Sequence, residues 1–149
     1  MVKYRKTFKV KIVLFCENVT IEKAKTISPV TLAFVGDAVY SLFVRETYTT
    51  HTDKKSGELS EMTSKIVRAS AQAKLIDKVL PRLTEEEADV FRRGRNAKKP
   101  SRAKHSTVSE YNKSTGFEAL VGFLYLTGNI KRLKEIFAEE TNLEEEVNT

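Results

Sequence analysis

Two segments, "VTLAFVGDAVYSLF" at 30–43 and "STGFEALVGFLYLTGN" at 114–129, are apolar or small almost throughout and carry one charge each, Asp37 and Glu118. A helix that is hydrophobic on every side has to be covered on every side. An ionised carboxylate inside such a helix is costly unless a cation or several donors meet it. The three- and four-residue neighbours of Asp37 are Ala33, Phe34, Tyr40 and Ser41, and those of Glu118 are Ser114, Thr115, Val121 and Gly122. No local salt bridge is available to either acid.

Small residues flank both acids: Ala33, Gly36 and Ala38 in one segment, Gly116, Ala119 and Gly122 in the other. Glycine in a helix costs about 1 kcal/mol relative to alanine, so several together point to a gain such as close backbone approach. Two helices crossing tightly would set Asp37 beside Glu118, and two like charges so placed call for a cation. Two carboxylates with water completing the shell suit Mg²⁺ better than zinc or a full calcium cage. Two plainer readings stand beside this one. Asp37 is a helix-terminal cap if the helix breaks at Gly36, and Glu118 is paired if a lysine or arginine reaches it from another segment.

The remaining pattern is helical. Pro29 suits a first turn, and Leu32, Val35, Val39 and Leu42 predict a helix over 29–48. Leu59, Met62, Ile66, Ala69, Ala73, Ile76 and Leu80 predict one long amphipathic helix stopped at Pro81. "TEEE" at 84–87 and "TVSE" at 107–110 are capping boxes, opening helices expected to end near Gly94 and Thr127. Asn129 caps a last helix carrying Leu133, Ile136 and Phe137. A strand signal is confined to "FKVKIVLF", whose alternation is short and ragged. The expected fold class is all-α.

At 149 residues the chain fits one domain, long enough to bury about 70% of its unfolded surface. A single cysteine, Cys16, excludes an internal disulfide, and with His51 and His105 far apart no zinc spacing exists. A reducing cytoplasm fits. The apolar run Ile12 to Cys16 is too short for a secretory signal. Residues 26–44 are long enough to cross a bilayer, but their Ser, Thr, Pro, Gly and Asp favour a buried helix over a membrane span.

Net charge is +6, which favours a polyanionic partner. The charge is polarised: Arg92 to Lys104 holds seven basic residues and no acid, and Glu135 to Glu146 six acids and no base. Such a run is often only a solvated face. Here it forms a loop between two capped helices, where Arg93, Arg95, Lys98, Lys99, Arg102 and Lys104 suit phosphates, and Asn96, Ser101 and Thr107 suit sugar or backbone oxygens. No aromatic lies between 92 and 104, so the loop suits a duplex backbone read by shape, as in double-stranded RNA, better than stacked single strands.

These motifs resemble the ribonuclease III family. "LAFVGDAVYSL" stands where that family has its signature helix, with Asp37 at the catalytic aspartate, and "STGFEALVGFLYL" places Glu118 at the metal-binding glutamate. "RGRNAKKPSRAKHST" followed by "STGFEAL" brings the chain closer to Mini-ribonuclease III, the short bacterial form without a double-stranded RNA-binding domain. The resemblance spans about residues 26 to 140. Two acids of the longer members are absent, since Ala33 stands four residues before Asp37 and Thr115 three before Glu118. Both replacements resemble the Mini form.

The resemblance implies a ribonuclease III endonuclease-domain-like helical bundle over 20–140, an N-terminal extension at 1–19 and an acidic tail at 141–149. It implies a cytoplasmic homodimer cleaving double-stranded RNA, leaving 5′-phosphate and 3′-hydroxyl ends, on the stem flanking precursor 23S ribosomal RNA. A large-subunit ribosomal protein is a further expected partner; neither DNA nor membrane is expected. Asp37 and Glu118 are expected to hold Mg²⁺ for water activation and in-line displacement, with Tyr40, Ser64 and Lys65 in support. Rival expectations are a non-catalytic module of the same fold holding structured RNA, and a small helical protein-interaction domain.

Overall fold

The computed structural model describes residues 14–99 and 106–139. Seven helices follow one another: α1 Ile21–Thr26, α2 Pro29–His51, α3 Ser56–Val67, α4 Ala69–Val79, α5 Glu85–Asn96, α6 Val108–Leu126 and α7 Ile130–Phe137, with a 3-10 turn, Leu80–Arg82, between α4 and α5. Among the described residues there is no strand element, so the all-α expectation holds. None of the helices is long and apolar enough to cross a membrane.

α6 is the axis of the bundle, touched by α1, α2, α4, α5 and α7. From Ser114 to Leu124 every residue except Glu118 is buried, which accounts for the near absence of charge in this segment. Both capping boxes form: Thr84 with Glu87 opens α5, and Thr107 with Glu110 opens α6. The Asn129 side chain accepts from the Arg132 amide at the start of α7.

α2 crosses α6 with the two backbones in contact. A Cβ on Gly36 would lie 1.7 Å from the Glu118 carbonyl oxygen, and one on Gly122 2.0 Å from that of Leu32. The buried stripe of α2 is Leu32, Ala33, Gly36, Tyr40, Val44 and Tyr48. Val35 and Val39 are only half-buried and Leu42 is exposed, so the face inferred from periodicity is displaced. With apolar residues on both sides of the segment, spacing could not choose; the glycine contact does.

One expectation is corrected. The single long helix over 59–80 is two, α3 and α4, broken at Arg68, whose ψ of 145° is extended. The break leaves the last carbonyls of α3 without helical partners, and the Gln72 Nε2 donates to the Val67 carbonyl at 3.2 Å. α1 was not anticipated; the Thr20 side chain accepts from the Lys23 amide at its start. Just before it, the Val19 amide donates to the Leu126 carbonyl at 2.8 Å and Asn18 Nδ2 to that of Thr127 at 3.3 Å, so the chain is already tied to the end of α6 before residue 20. Most of residues 1–19 and the tail 141–149 lie outside the described residues.

Candidate active site

Asp37 sits on the exposed side of α2, one residue past the Gly36 contact, and Glu118 is the least covered residue in the buried stretch of α6. α2 is continuous through Gly36, so Asp37 is not a helix-terminal cap. Among the described residues no lysine or arginine forms an ion pair with either acid. The partners of Glu118 are neutral: Gln72 Nε2 donates to its Oε1 at 3.5 Å and Ser114 Oγ approaches the same oxygen at 3.4 Å. Ser114 Oγ also donates to Gln72 Oε1.

Burial and, after it, the charge of Asp37 push the Glu118 carboxyl from an ordinary 4.5 up to about 8, against the opposing pull of the Gln72 and Ser114 hydrogen bonds. Burial of a carboxyl with no counter-charge is the larger cause, and a second carboxylate near enough to be felt is the smaller one. Among the described residues no cluster of three or more acidic, His or Cys ligands exists. The two positions where longer family members carry acids add none here: Ala33 is buried, and the Thr115 hydroxyl is spent on the Tyr111 carbonyl at 3.0 Å. A pair of carboxylate oxygen donors fits a hard divalent cation and does not fit a soft metal.

The C-terminal turn of α5 reaches the same level of α6. A Cβ on Gly94 would meet Ala119 Cβ at 2.8 Å and Gly116 Cα at 2.9 Å. This close packing brings the start of the basic loop beside the turn that carries Glu118. The exposed Arg93 donates to the Lys25 carbonyl at 3.3 Å, and Arg95 lies over the Phe91 ring at 5.9 Å and donates to Asn96 Oδ1. Lys98 is exposed, whereas Lys99 Nζ turns back to the Ala97 and Arg95 carbonyls at 2.7 and 3.1 Å. Partial burial lowers the Lys99 pKa. Thr107 is exposed but its hydroxyl serves the α6 cap. Ser101, Arg102 and Lys104 lie outside the described residues.

The three supporting residues stand on α2 and α3. Tyr40 is fully buried, its ring edge-on to Phe117 at 5.4 Å and tilted against Phe137 at 5.7 Å, so its place is in the core. Ser64 bonds back to the Ser60 carbonyl and Lys65 lies 3.9 Å from Glu61, both on the exposed side of α3. The residue that sequence reasoning missed is Gln72, completely buried. Its signal was present: a polar amide on the apolar line of Ala69, Ala73 and Ile76.

Comparison with known proteins agrees with this architecture. Residues 30–129 match the ribonuclease III domain family, a span that includes both acids. The chain is 47% identical over 111 residues to the Mini-ribonuclease 3 of Symbiobacterium thermophilum, covering 74% of this chain and 85% of that one. It is 42% identical over 135 residues to the Mini-ribonuclease 3 of a Thermoanaerobacter species, covering 89% and 95%. A crystal structure of a Fusobacterium nucleatum protein superposes with a TM-score of 0.74 at 28% identity, covering 80% of this chain and 96% of that one. The chain belongs to the ribonuclease III family, in its Mini-ribonuclease III group, and is a ribonuclease III-type nuclease.

Proposed function

We propose that the protein is a Mg²⁺-dependent endoribonuclease that cuts double-stranded RNA, with 5′-phosphate products, and acts in the cytoplasm on the stem flanking precursor 23S ribosomal RNA. The observation that carries this reading is the Asp37–Glu118 pair, two carboxylates at a backbone-tight helix crossing with only neutral partners. Asp37 and Glu118 hold the cation; when bound, Mg²⁺ supplies water activation and charge neutralisation at the scissile phosphate. The crossing fixes where the two carboxylates stand, while Arg93, Arg95 and Lys98 hold the duplex by its phosphates. Arg102 and Lys104 extend the same basic run.

A homodimer is the proposed assembly. Phe34, Ala38 and Leu42 recur every four residues along the outward side of α2, with Phe34 79% and Leu42 49% exposed. Exposed apolar side chains in a row on a helix next to a site are what a second copy would cover. A large-subunit ribosomal protein is a further proposed partner, acting on the shape of the RNA stem; no DNA or membrane role is proposed.

Incubation of the purified protein with a long RNA duplex in Mg²⁺ or EDTA tests this, alongside Asp37→Asn and Glu118→Gln. Cutting that requires Mg²⁺ and is lost in both folded variants is the expected result. Binding without cutting, on the duplex and on a precursor ribosomal stem supplied with ribosomal proteins, would replace it with a non-catalytic RNA-holding module.

A further inference from the structure

Gln72 is the one completely buried polar side chain in contact with the acid pair among the described residues. Its amide spans three elements. Nε2 donates to the Val67 carbonyl at the end of α3 at 3.2 Å and to Glu118 Oε1 on α6 at 3.5 Å, while Oε1 accepts from the Ser114 hydroxyl. A carbonyl can only accept, so the Val67 contact fixes which end of the amide is nitrogen, and the Ser114 hydroxyl then meets the oxygen. The orientation of the amide is over-determined by groups that do not belong to the site.

The Gln72 amide donates to Glu118 Oε1, the oxygen that also lies 3.4 Å from Ser114 Oγ. One carboxylate oxygen is thereby tethered and the other is left for a ligand. The partner is also neutral. A lysine here would cancel the charge a cation needs, and a third carboxylate would add repulsion; an amide orients without doing either. Ligand-orienting groups of this kind typically change metal affinity when removed, with the ligands themselves intact.

We infer that Gln72 is the positioning residue of this site: it holds Glu118 in the orientation that receives a divalent cation, with Ser114 as the hydroxyl that orients Gln72 in turn. This rests on the reading of Asp37 and Glu118 as the metal pair. The break at Arg68 belongs to the device. It ends α3 with a free carbonyl at Val67 and starts α4 so that Gln72, in the next turn, can bridge that carbonyl to α6.

The test is titration of the metal-free protein with Mn²⁺, followed by electron paramagnetic resonance, for wild type, Gln72→Met and Ser114→Ala. Gln72→Met keeps the length and bulk but removes the amide. The expected result is a Mn²⁺ dissociation constant raised about 10-fold or more in Gln72→Met and less in Ser114→Ala. Duplex RNA binding in EDTA should be unchanged, and cleavage should recover toward wild type at saturating Mn²⁺. If Gln72→Met does not fold, Ser114→Ala carries the same test. A wild-type dissociation constant in the folded variants overturns the inference while leaving the nuclease reading intact, and so does a cleavage loss that saturating Mn²⁺ does not recover. A wild type that neither binds Mn²⁺ nor cuts removes both.

Discussion

Gly36 has no room for a side chain because the carbonyl oxygen of Glu118 lies where its Cβ would be, 1.7 Å from that position. The residue after Gly36 is Asp37, so the same contact that brings the helices together brings the two acids together. Fold and candidate chemistry share one crossing point.

Replacement of Gly36 or Gly122 by alanine is therefore expected to cost more than about 3 kcal/mol, because the clash is with backbone that cannot turn aside. Gly57→Ala is the control: nothing lies within 4 Å of its Cβ position, and it should stabilise α3 by up to about 1 kcal/mol. Urea denaturation of the three variants measures both effects.

The raised Glu118 pKa makes the stability of the metal-free protein depend on pH. Burial and Asp37 lift it from 4.5 to about 8, so between those values the folded state holds a proton that the unfolded state has lost. Stability is thus fully present below pH 4.5 and falls as pH rises toward 8, by at most about 5 kcal/mol. In Glu118→Gln this fall should vanish, and the variant should be more stable than wild type at pH 8. An identical pH slope in both proteins would contradict the burial of this charge.

Arg132 clamps Glu87 with two bonds, Nε to Oε2 at 2.8 Å and Nη2 to Oε1 at 2.9 Å, and also donates to the Arg82 carbonyl at 2.9 Å. Burial raises the Glu87 pKa, but the hydrogen bonds from Arg132 and Thr84 outweigh it and the net direction is down. Its contribution is present above the ordinary glutamate value near 4.5 and is lost as pH falls through the lowered one. Arg132→Met leaves a carboxylate only 4% exposed without its counter-charge, and thermal denaturation should report a loss of about 2–4 kcal/mol.

Lys98 and Lys99 differ in what they offer to a phosphate. Lys98 is exposed, while Lys99 Nζ is turned to two backbone carbonyls. Lys98→Ala should reduce the slope of log affinity against log salt for duplex RNA by about 1, and Lys99→Ala by less. The triple Lys98, Lys99, Arg102→Ala variant should flatten it further. Equal slopes for wild type and triple variant would remove this loop from the RNA-binding surface.

By itself the sequence determined the helical class, both capping boxes, the ends of α2 and α6 to within a few residues, and the pairing of the two glycine-rich segments. The caps are local matters, Thr84 with Glu87 and Thr107 with Glu110 being three residues apart, while the pairing follows because a charge-free stretch with glycines has to be covered by another such stretch. Only the tertiary structure decided which face of α2 is inside, that the helix over 59–80 breaks at Arg68, that Tyr40 belongs to the core, and that Glu118 is met by Gln72, 46 residues away, and not by a cation. Periodicity fixes the spacing of side chains on one helix. It carries no information about the neighbouring backbone that fills the space beside Gly36, or about the amide that crosses from α4 to α6.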